Sequence, residues 1–406
     1  MTASFPFESV ATAADLKRVN RQKILQTLRS GNAMTVSDIH DKTGISRITV
    51  MRALQDYCNR GIVKSQGLGN TTSLGGKRPE MFVFGDARKL LCINLWPQST
   101  TLALSTLVSD VYAVKQLPRG YNGSLEHAID LLHEDVKSYL SEEQVSIQDL
   151  YGVALSVPGT IDYDTKLLRY NSHAPDWGSN VPMIDYLRPI FGDGPVYFID
   201  NAGKAVGREV LIERPEYLRS RLMTLFTTWG VSACLMQHGN VLNGRDSLIG
   251  EIGHMVIDRT GSVLCGCGKR GCLESVVSIR HARKMLAEQA PERRDSVQDL
   301  TMKELFALSA AGDQPAQRVS CYLARCFAIA LHNLSLAYNQ EAVVFQGDFA
   351  WADDTFDRYL KKELREFRYY PTSVPFSIYY DKRDLALLAA RGGAEYLKKH
   401  YFSSVD

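Results

Sequence analysis

Cysteine is scarce: eight in 406 residues. That is too few for a disulfide framework, excludes the small stapled secreted folds and fits a reducing compartment. Long apolar runs are missing too. Polar residues break every run within about ten positions, well short of the roughly 20 that a membrane-crossing helix needs, so no such helix is expected. The first thirty residues hold Glu8 and Asp15 and no apolar signal core, which argues against secretion and for a cytoplasmic protein. No G-x-x-x-x-G-K-[ST] pattern occurs, so the common phosphate-cradling loop is absent. Nor does one sign of charge dominate, with 47 Lys+Arg against 45 Asp+Glu. What remains is 45% hydrophobic and 23% charged, an ordinary globular composition. At about 150 residues per domain, the length predicts two to three domains.

The balanced charge hides an asymmetry. Residues 1–90 carry 14 Lys+Arg against 7 Asp+Glu, and the remainder 33 against 38. A basic block before a mildly acidic body is the footprint of a nucleic-acid-binding module joined to something else. Residues 13–29 place Leu16, Val19, Ile24, Leu25 and Leu28 on one side of a helix that Ser30-Gly31-Asn32 stops. Thr35 and Asp38 predict a capped second helix over 35–42, with Val36 and Ile39 inward. Thr43-Gly44-Ile45 turns the chain into Ser46, the N-cap of a third helix through Arg60. That helix has Val50, Leu54 and Tyr57 inward, and Ser46, Arg47, Thr49 and Arg52 outward.

Two short helices around a glycine turn form the helix-turn-helix pattern, whose second helix lies in the major groove. Residues 61–84 then predict a β-hairpin, the wing, which carries Lys64. Its Gly75-Gly76-Lys77-Arg78-Pro79 stretch offers two cations on an extended arm suited to phosphates and the minor groove. The competing reading is a three-helix bundle whose outward face is merely solvated. Residues 1–85 are thus read as a winged helix-turn-helix DNA-binding domain. One module spans too few base pairs to find a genomic site, so a homodimer or higher homo-oligomer on an inverted-repeat double-stranded operator is expected.

From Leu90 strands alternate with helices. Strands are predicted at 90–95, 101–107 and 111–116, a helix at 124–141, and strands at 151–156 and 196–199, the last ending at Asp200 before a helix from about Ala202. A second cycle has strands 223–228 and 231–237, helices 275–290, 302–311 and 314–338, strand 342–346, a further helix, strand 375–379 and helix 384–398. Two successive β,β,β,α,β,α units predict an α/β body over 86–406, with two lobes around a ligand cleft. The first lobe takes about 86–200 plus the last helix, and the second about 201–383.

Two local features carry chemistry. His254, Cys265, Cys267 and Cys272 supply an imidazole and three thiolates, a complete tetrahedral set for one Zn2+, with glycines that let the backbone wrap the ion. No position is left for water, so the site is expected to be structural. The competing reading, a Cys265–Cys272 disulfide or inert thiols, suits a reducing compartment poorly. Cys58, Cys92, Cys234, Cys321 and Cys326 read as small buried hydrophobes. Asp200, Glu251 and Glu274 stand at element ends. Glu251 lies three residues before His254 and Glu274 two after Cys272, so a metal would anchor both loops. Buried carboxylates and imidazoles of this kind discriminate among sugar hydroxyls, because an unpaired buried polar group is costly. Surface or capping roles are the alternative for both glutamates.

Together these pieces resemble the ROK family of repressors, open reading frames and sugar kinases, and within it the transcriptional repressors. The likeness covers essentially the whole chain. Its most specific part, GEIGHMVIDRTGSVLCGCGKRGCLES at 250–275, matches the family's Glu-x-Gly-His and Cys-x-Cys-Gly-x4-Cys-Leu-Glu elements. Gly76-Lys77-Arg78-Pro79 is similar to the Gly-Arg-Pro segment after the repressors' wing. The resemblance implies an actin-like, two-lobed, sugar-kinase-like body and a sugar held by Gly159, Asp200, Glu251, His254 and Glu274. The family's Asn falls on His173 by counting from Trp177, with Asn171 close by, and Ile199 stands where the kinases have Asn before the aspartate.

The kinase machinery departs further. The family's Asp-Ile-Gly-Gly-Thr phosphate turn is replaced by Asn94-Leu95-Trp96-Pro97-Gln98. Its second glycine loop reads Thr228-Trp229-Gly230-Val231-Ser232-Ala233-Cys234, and its adenosine-side Gly-Gly reads Gly347-Asp348. Asp200 retains the chemistry of a general base, but without a phosphate seat it has nothing to transfer. The expectation is a non-enzyme: a repressor of carbohydrate-related genes modulated by a sugar or sugar derivative. Two alternatives stand beside it, a sugar kinase with a fused DNA-binding domain, and a repressor with a vestigial pocket controlled by a protein regulator.

Overall fold

The computed structural model describes residues 13–69, 78–120, 123–171, 173–261, 263–367 and 376–404. Helix α1 (Ala13–Thr27) tightens into a 3-10 turn that Gly31 closes at φ +73°. Helix α2 (Val36–Thr43) begins at Thr35, and Thr35 and Asp38 each satisfy the other's backbone N–H. Helix α3 (Arg47–Asn59) begins at Ser46, whose hydroxyl accepts from the Thr49 N–H. Strands β1 (Val63–Leu68) and β2 (Glu80–Phe84) pair antiparallel, and Met34 bridges to Phe82. Ile24, Leu25, Leu28, Ile39, Val50, Leu54 and Tyr57 fill the space between helices and hairpin. Leu16 and Val19, expected to face inward, are instead 56% and 51% exposed. The buried stripe begins at Ile24, about two turns later than the apolar spacing indicates.

The first lobe contains β3 (Lys89–Leu95), β4 (Thr100–Thr106), β5 (Tyr112–Leu117), α4 (Leu125–Glu142), β6 (Leu150–Val157), a small sheet of β7 (Thr160–Asp162), β8 (Leu167–Tyr170) and β9 (Ser179–Val181), then α5 (Met183–Phe191) and β10 (Val196–Asn201). Helix α6 (Ala202–Glu213) crosses to the second lobe. That lobe holds β11 (Arg221–Thr227), β12 (Val231–Gln237), β13 (Asn240–Val241), α7 (Leu273–Val276), α8 (Ile279–Gln289), α9 (Met302–Ala310), α10 (Gln314–Tyr338), β14 (Ala342–Gly347), α11 (Asp354–Glu366) and β15 (Ser377–Asp381). Helix α12 (Leu385–Ser404) returns to the first.

Both five-stranded sheets have the same construction. The orders are β5-β4-β3-β6-β10 and β13-β12-β11-β14-β15: an antiparallel meander with two parallel strands added beside its first strand. Strands β3, β6 and β11 are buried along almost their whole length, the pattern of strands covered on both faces. The expected helix over 275–290 is divided, since Ser278 caps α8 after α7 has ended. The β7–β9 sheet was not expected from the sequence; its strands of three or four residues are too short to show an alternation. Helix α10 corrects another expectation: by length and composition it is apolar enough to cross a membrane. Its Ala316, Val319, Leu323, Phe327 and Leu331 are instead buried in the second-lobe core at three- and four-residue spacing.

Helix α12 ties the parts together. It lies against β3, β6, β10 and α6, and Gly392 permits the approach, since a Cβ there would come within 2.0 Å of the Ala205 carbonyl oxygen. Its last turns close the core of the amino-terminal module. Phe84 packs against the Tyr401 and Phe402 rings at 5.9 and 5.5 Å. Arg29 pairs with Glu395, and Gln22 Nε2 donates to the Ser403 carbonyl at 2.8 Å.

Candidate functional site

The metal ligands come from a loop folded back on itself. Val256 bridges to Cys272 and Leu264 to Arg270. Gly271 sits at φ +73° where a Cβ would lie 1.9 Å from the Asp258 carbonyl oxygen. His254 Nδ1 is 3.7 Å from Cys265 Sγ, and the Cys267 and Cys272 sulfurs are 3.7 Å apart. All four donor atoms fall within 4.8 Å of one another. Zinc–sulfur bonds of about 2.3 Å imply tetrahedron edges of about 3.8 Å, so the donor set fits Zn2+. Sulfurs joined as a disulfide would be about 2 Å apart; all three cysteines are free. The loop carries the glutamates with it. Glu251 immediately precedes the 3-10 turn ending in His254, and Cys272 immediately precedes α7, in whose first turn Glu274 stands.

Around this loop the structure gathers the residues expected to hold a sugar. Glu274 Oε2 accepts from the Val231 N–H at 3.0 Å, between Gly230 and Gly253, where side chains would collide with it. His173 lies on the same spot, its Nε2 3.8 Å from where a Gly230 Cβ would be. Burial pulls the His173 pKa down, against the attraction of Glu274. Asn171, the other candidate for that position, is spent locally, its Oδ1 accepting from the His173 N–H at 3.0 Å. Burial pushes the Glu251 carboxyl up, opposed by the charges of His254 and Lys204. Gly159 follows β6 at φ +110°, where a Cβ would meet the Tyr170 carbonyl oxygen at 2.3 Å. Its carbonyl accepts from Asn201 Nδ2 at 2.7 Å, while Asn201 Oδ1 caps α6.

Asp200 is the penultimate residue of β10 and is 1% exposed. Tyr163 donates its hydroxyl to one carboxylate oxygen, and Arg208 donates Nε to the other at 2.6 Å. The sequence reading missed Tyr163, Arg208 and Lys204. Lys204 is 6% exposed, donates Nζ to Asn243 Oδ1 at 3.1 Å and lies 4.9 Å from the Tyr163 ring centroid. Burial lowers its pKa, with Asp200 and Glu251 pulling the other way. The available signal was two cations four residues apart in a helix whose other residues through Arg208 are Ala, Gly and Val.

An aromatic cluster adjoins these residues, Trp229 meeting the His173 ring edge-on at 6.1 Å. Where a phosphate turn would lie, Trp96 is buried and donates Nε1 to Ser156 Oγ at 3.1 Å. Its ring meets Phe226 at 6.0 Å and Trp229 at 5.3 Å, both edge-on and both from the second lobe. Asn94 Nδ2 is held by the Ala386 carbonyl at 2.7 Å. After Gly347, burial raises the Asp348 carboxyl to about 6.

On the amino-terminal module, Arg47 and Arg52 are exposed on α3 and make no ion pair with a described residue. Ser46 and Thr49 are exposed, facing outward as expected, and the cap joins them, their hydroxyl oxygens lying 2.8 Å apart. Lys64 is exposed on β1 and Arg78 just before β2; Lys77 falls outside the described residues.

Residues 91–395 match the ROK family pattern. A glucokinase from Halalkalibacterium halodurans is 30% identical over 236 residues, 56% of this chain and 70% of that protein. The xylose repressor of Bacillus subtilis is 26% identical over 342 residues, 83% of this chain and 84% of the repressor. A solved ROK family transcriptional regulator, a homologue of the Escherichia coli MLC protein, superposes with a TM-score of 0.78 at 17% identity, covering 95% of this chain and 98% of that one. With three quarters of its length inside the family pattern and the family's α/β body in its structure, this chain belongs to the ROK family.

Proposed function

We propose that this protein is a cytoplasmic, DNA-binding transcriptional repressor of carbohydrate-related genes, whose sugar-kinase-like body senses a sugar or sugar derivative and phosphorylates nothing. Three helices and a hairpin, with α3 presenting Arg47 and Arg52 outward, have the build of a winged helix-turn-helix. Lys64, Lys77 and Arg78 would supply phosphate and minor-groove contacts, and two copies would span an inverted repeat. Similarity to a xylose repressor and to a ROK transcriptional regulator along most of the chain supports this reading.

The observation that carries the non-enzyme part is the Trp96–Phe226–Trp229 cluster. A phosphoryl donor needs backbone amides and open space at that turn, and the cleft offers indole there. Asp200 points the same way. A general base needs a free lone pair toward its substrate, and this carboxylate is tied to Arg208 and Tyr163. One Zn2+ on His254, Cys265, Cys267 and Cys272 would hold the loops bearing Glu251 and Glu274 and, with no open position, would do no chemistry itself. The filling of the space beside Asp200 by Tyr163 and Lys204 favours one second reading, in which no sugar reaches that carboxylate and a protein regulator controls the repressor.

Thermal-shift measurement with monosaccharides, their phosphates and ATP tests the proposal, since a ligand of the native state raises the melting temperature. Stabilisation by one sugar class, lost in Glu274→Ala with DNA binding intact, supports it. Stabilisation by ATP with sugar-dependent turnover would replace it with the kinase alternative. No shift with any sugar would favour the protein-regulated reading.

A further inference from the structure

Helix α3 buries Val50, Ala53, Leu54 and Tyr57 on one face. The opposite face is not the polar surface that a solvated helix would have. Ile48 is 68% exposed and Met51 45% exposed, one helical turn apart. With Arg47, Arg52 and Gln55 they form a continuous exposed face, since 47/51, 48/52 and 51/55 are all four-residue neighbours. This face has no carboxylate; the one acid on α3, Asp56, is paired with Arg21. Two large apolar side chains between unpaired guanidinium groups is an arrangement with a specific complement. In the major groove the base edges present hydrogen-bonding groups throughout, with one apolar exception, the 5-methyl group of thymine. The surrounding positive charge, with Lys64 and Arg78 exposed on the hairpin behind, matches the flanking phosphates.

Resting on the DNA-binding reading above, we infer that Ile48 and Met51 read thymine 5-methyl groups, so that each operator half-site carries thymines at the positions facing the middle of α3. Arg47 and Arg52 then flank these positions and supply hydrogen bonds to base edges or phosphates. Discrimination at the thymines comes from burying a methyl group between two apolar side chains, which no other base offers at that place.

The experiment starts from duplexes enriched by the full-length protein from a random-sequence library. Each thymine in the tightest duplex is then replaced singly by deoxyuridine, which deletes the methyl and keeps every hydrogen bond. Burial of one methyl-sized group is worth about 0.8 kcal/mol, so affinity should fall about four-fold at one or two thymines per half-site. In Ile48→Ala or Met51→Ala, that loss should vanish at the thymine each residue contacts and persist at the other, while Arg47→Ala keeps both. Helix content and melting temperature serve as controls, since both side chains are exposed. A tightly bound duplex indifferent to every deoxyuridine would overturn the inference and leave DNA binding standing, and would turn the stripe toward a protein surface. No enrichment over scrambled duplex would overturn both readings.

Discussion

Two neighbouring regions of the body meet at Trp229 and Gly230 and hold opposite contents. In one, a loop with a zinc-competent His/Cys donor set carries Glu251, His254 and Glu274, and His173 lies beside Glu274, with glycines keeping space around that carboxylate. In the other, Trp96, Phe226 and Trp229 interlock, and Asp348 adds a partly buried carboxyl after Gly347. Group transfer would require an open phosphate seat as well as a sugar site, whereas recognition requires only the latter; on the proposed reading this body would bind without turnover.

Removing the metal should break the comparison most severely. Structural zinc contributes about 10–16 kcal/mol in small zinc-dependent modules, so Cys272→Ser or strong chelation should leave the second lobe unable to hold the Glu251 and Glu274 loops. Elemental analysis should find about one zinc per chain, and the altered protein should melt far below the native one. Less than about half an equivalent in fresh, unchelated protein would remove the metal from the argument. Next in size is Trp96→Ala. Deleting a buried indole costs about 3–5 kcal/mol, readable as a lower urea midpoint. The variant should show no ATP turnover, because the emptied turn still lacks glycine amides; sugar-dependent hydrolysis would mean that bulk alone had silenced the site.

The smallest effect sharpens the contrast through pH. Asp348 ionises near 6 when folded and near the ordinary 3.8 when unfolded. Its folded pKa is raised, so its contribution to stability is complete below about 3.8 and is lost as pH climbs through about 6. Asp348→Asn should flatten that slope and lift the melting temperature at pH 7.5 by a few degrees. An unchanged slope would mean that the carboxylate is hydrated and the nucleotide end more open than the packing indicates.

Where the sequence was legible, local chemistry spoke for itself. Thr35 and Asp38 form a capping box through neighbours three residues apart, and the zinc ligands sit within twenty positions. The two α/β lobes followed from two successive runs of alternating strands and helices. The parts it did not yield depend on distant partners. Leu16 and Val19 match the apolar spacing of α1 but stay more than half exposed among the described residues, and spacing carries no information about what lies opposite. Tyr163 from the β7–β8 turn and Lys204 and Arg208 from α6 converge on Asp200, and a cation in a run of small apolar residues says that it must be satisfied without saying by what. The spacing could not distinguish Asn171 from His173; in the fold the Asn171 Oδ1 accepts from the His173 N–H, and His173 lies near Glu274.

The packing of α12 sets an order of events during synthesis. The amino-terminal module leaves the ribosome first, yet Phe84 finishes its packing on Tyr401 and Phe402, and Arg29 finds Glu395 across 366 positions of chain. A nascent chain halted before Leu385 holds all of the module's own helices and strands but lacks the surface that seals its core. The module's full stability therefore matures only after the rest of the chain has been made and α12 has docked.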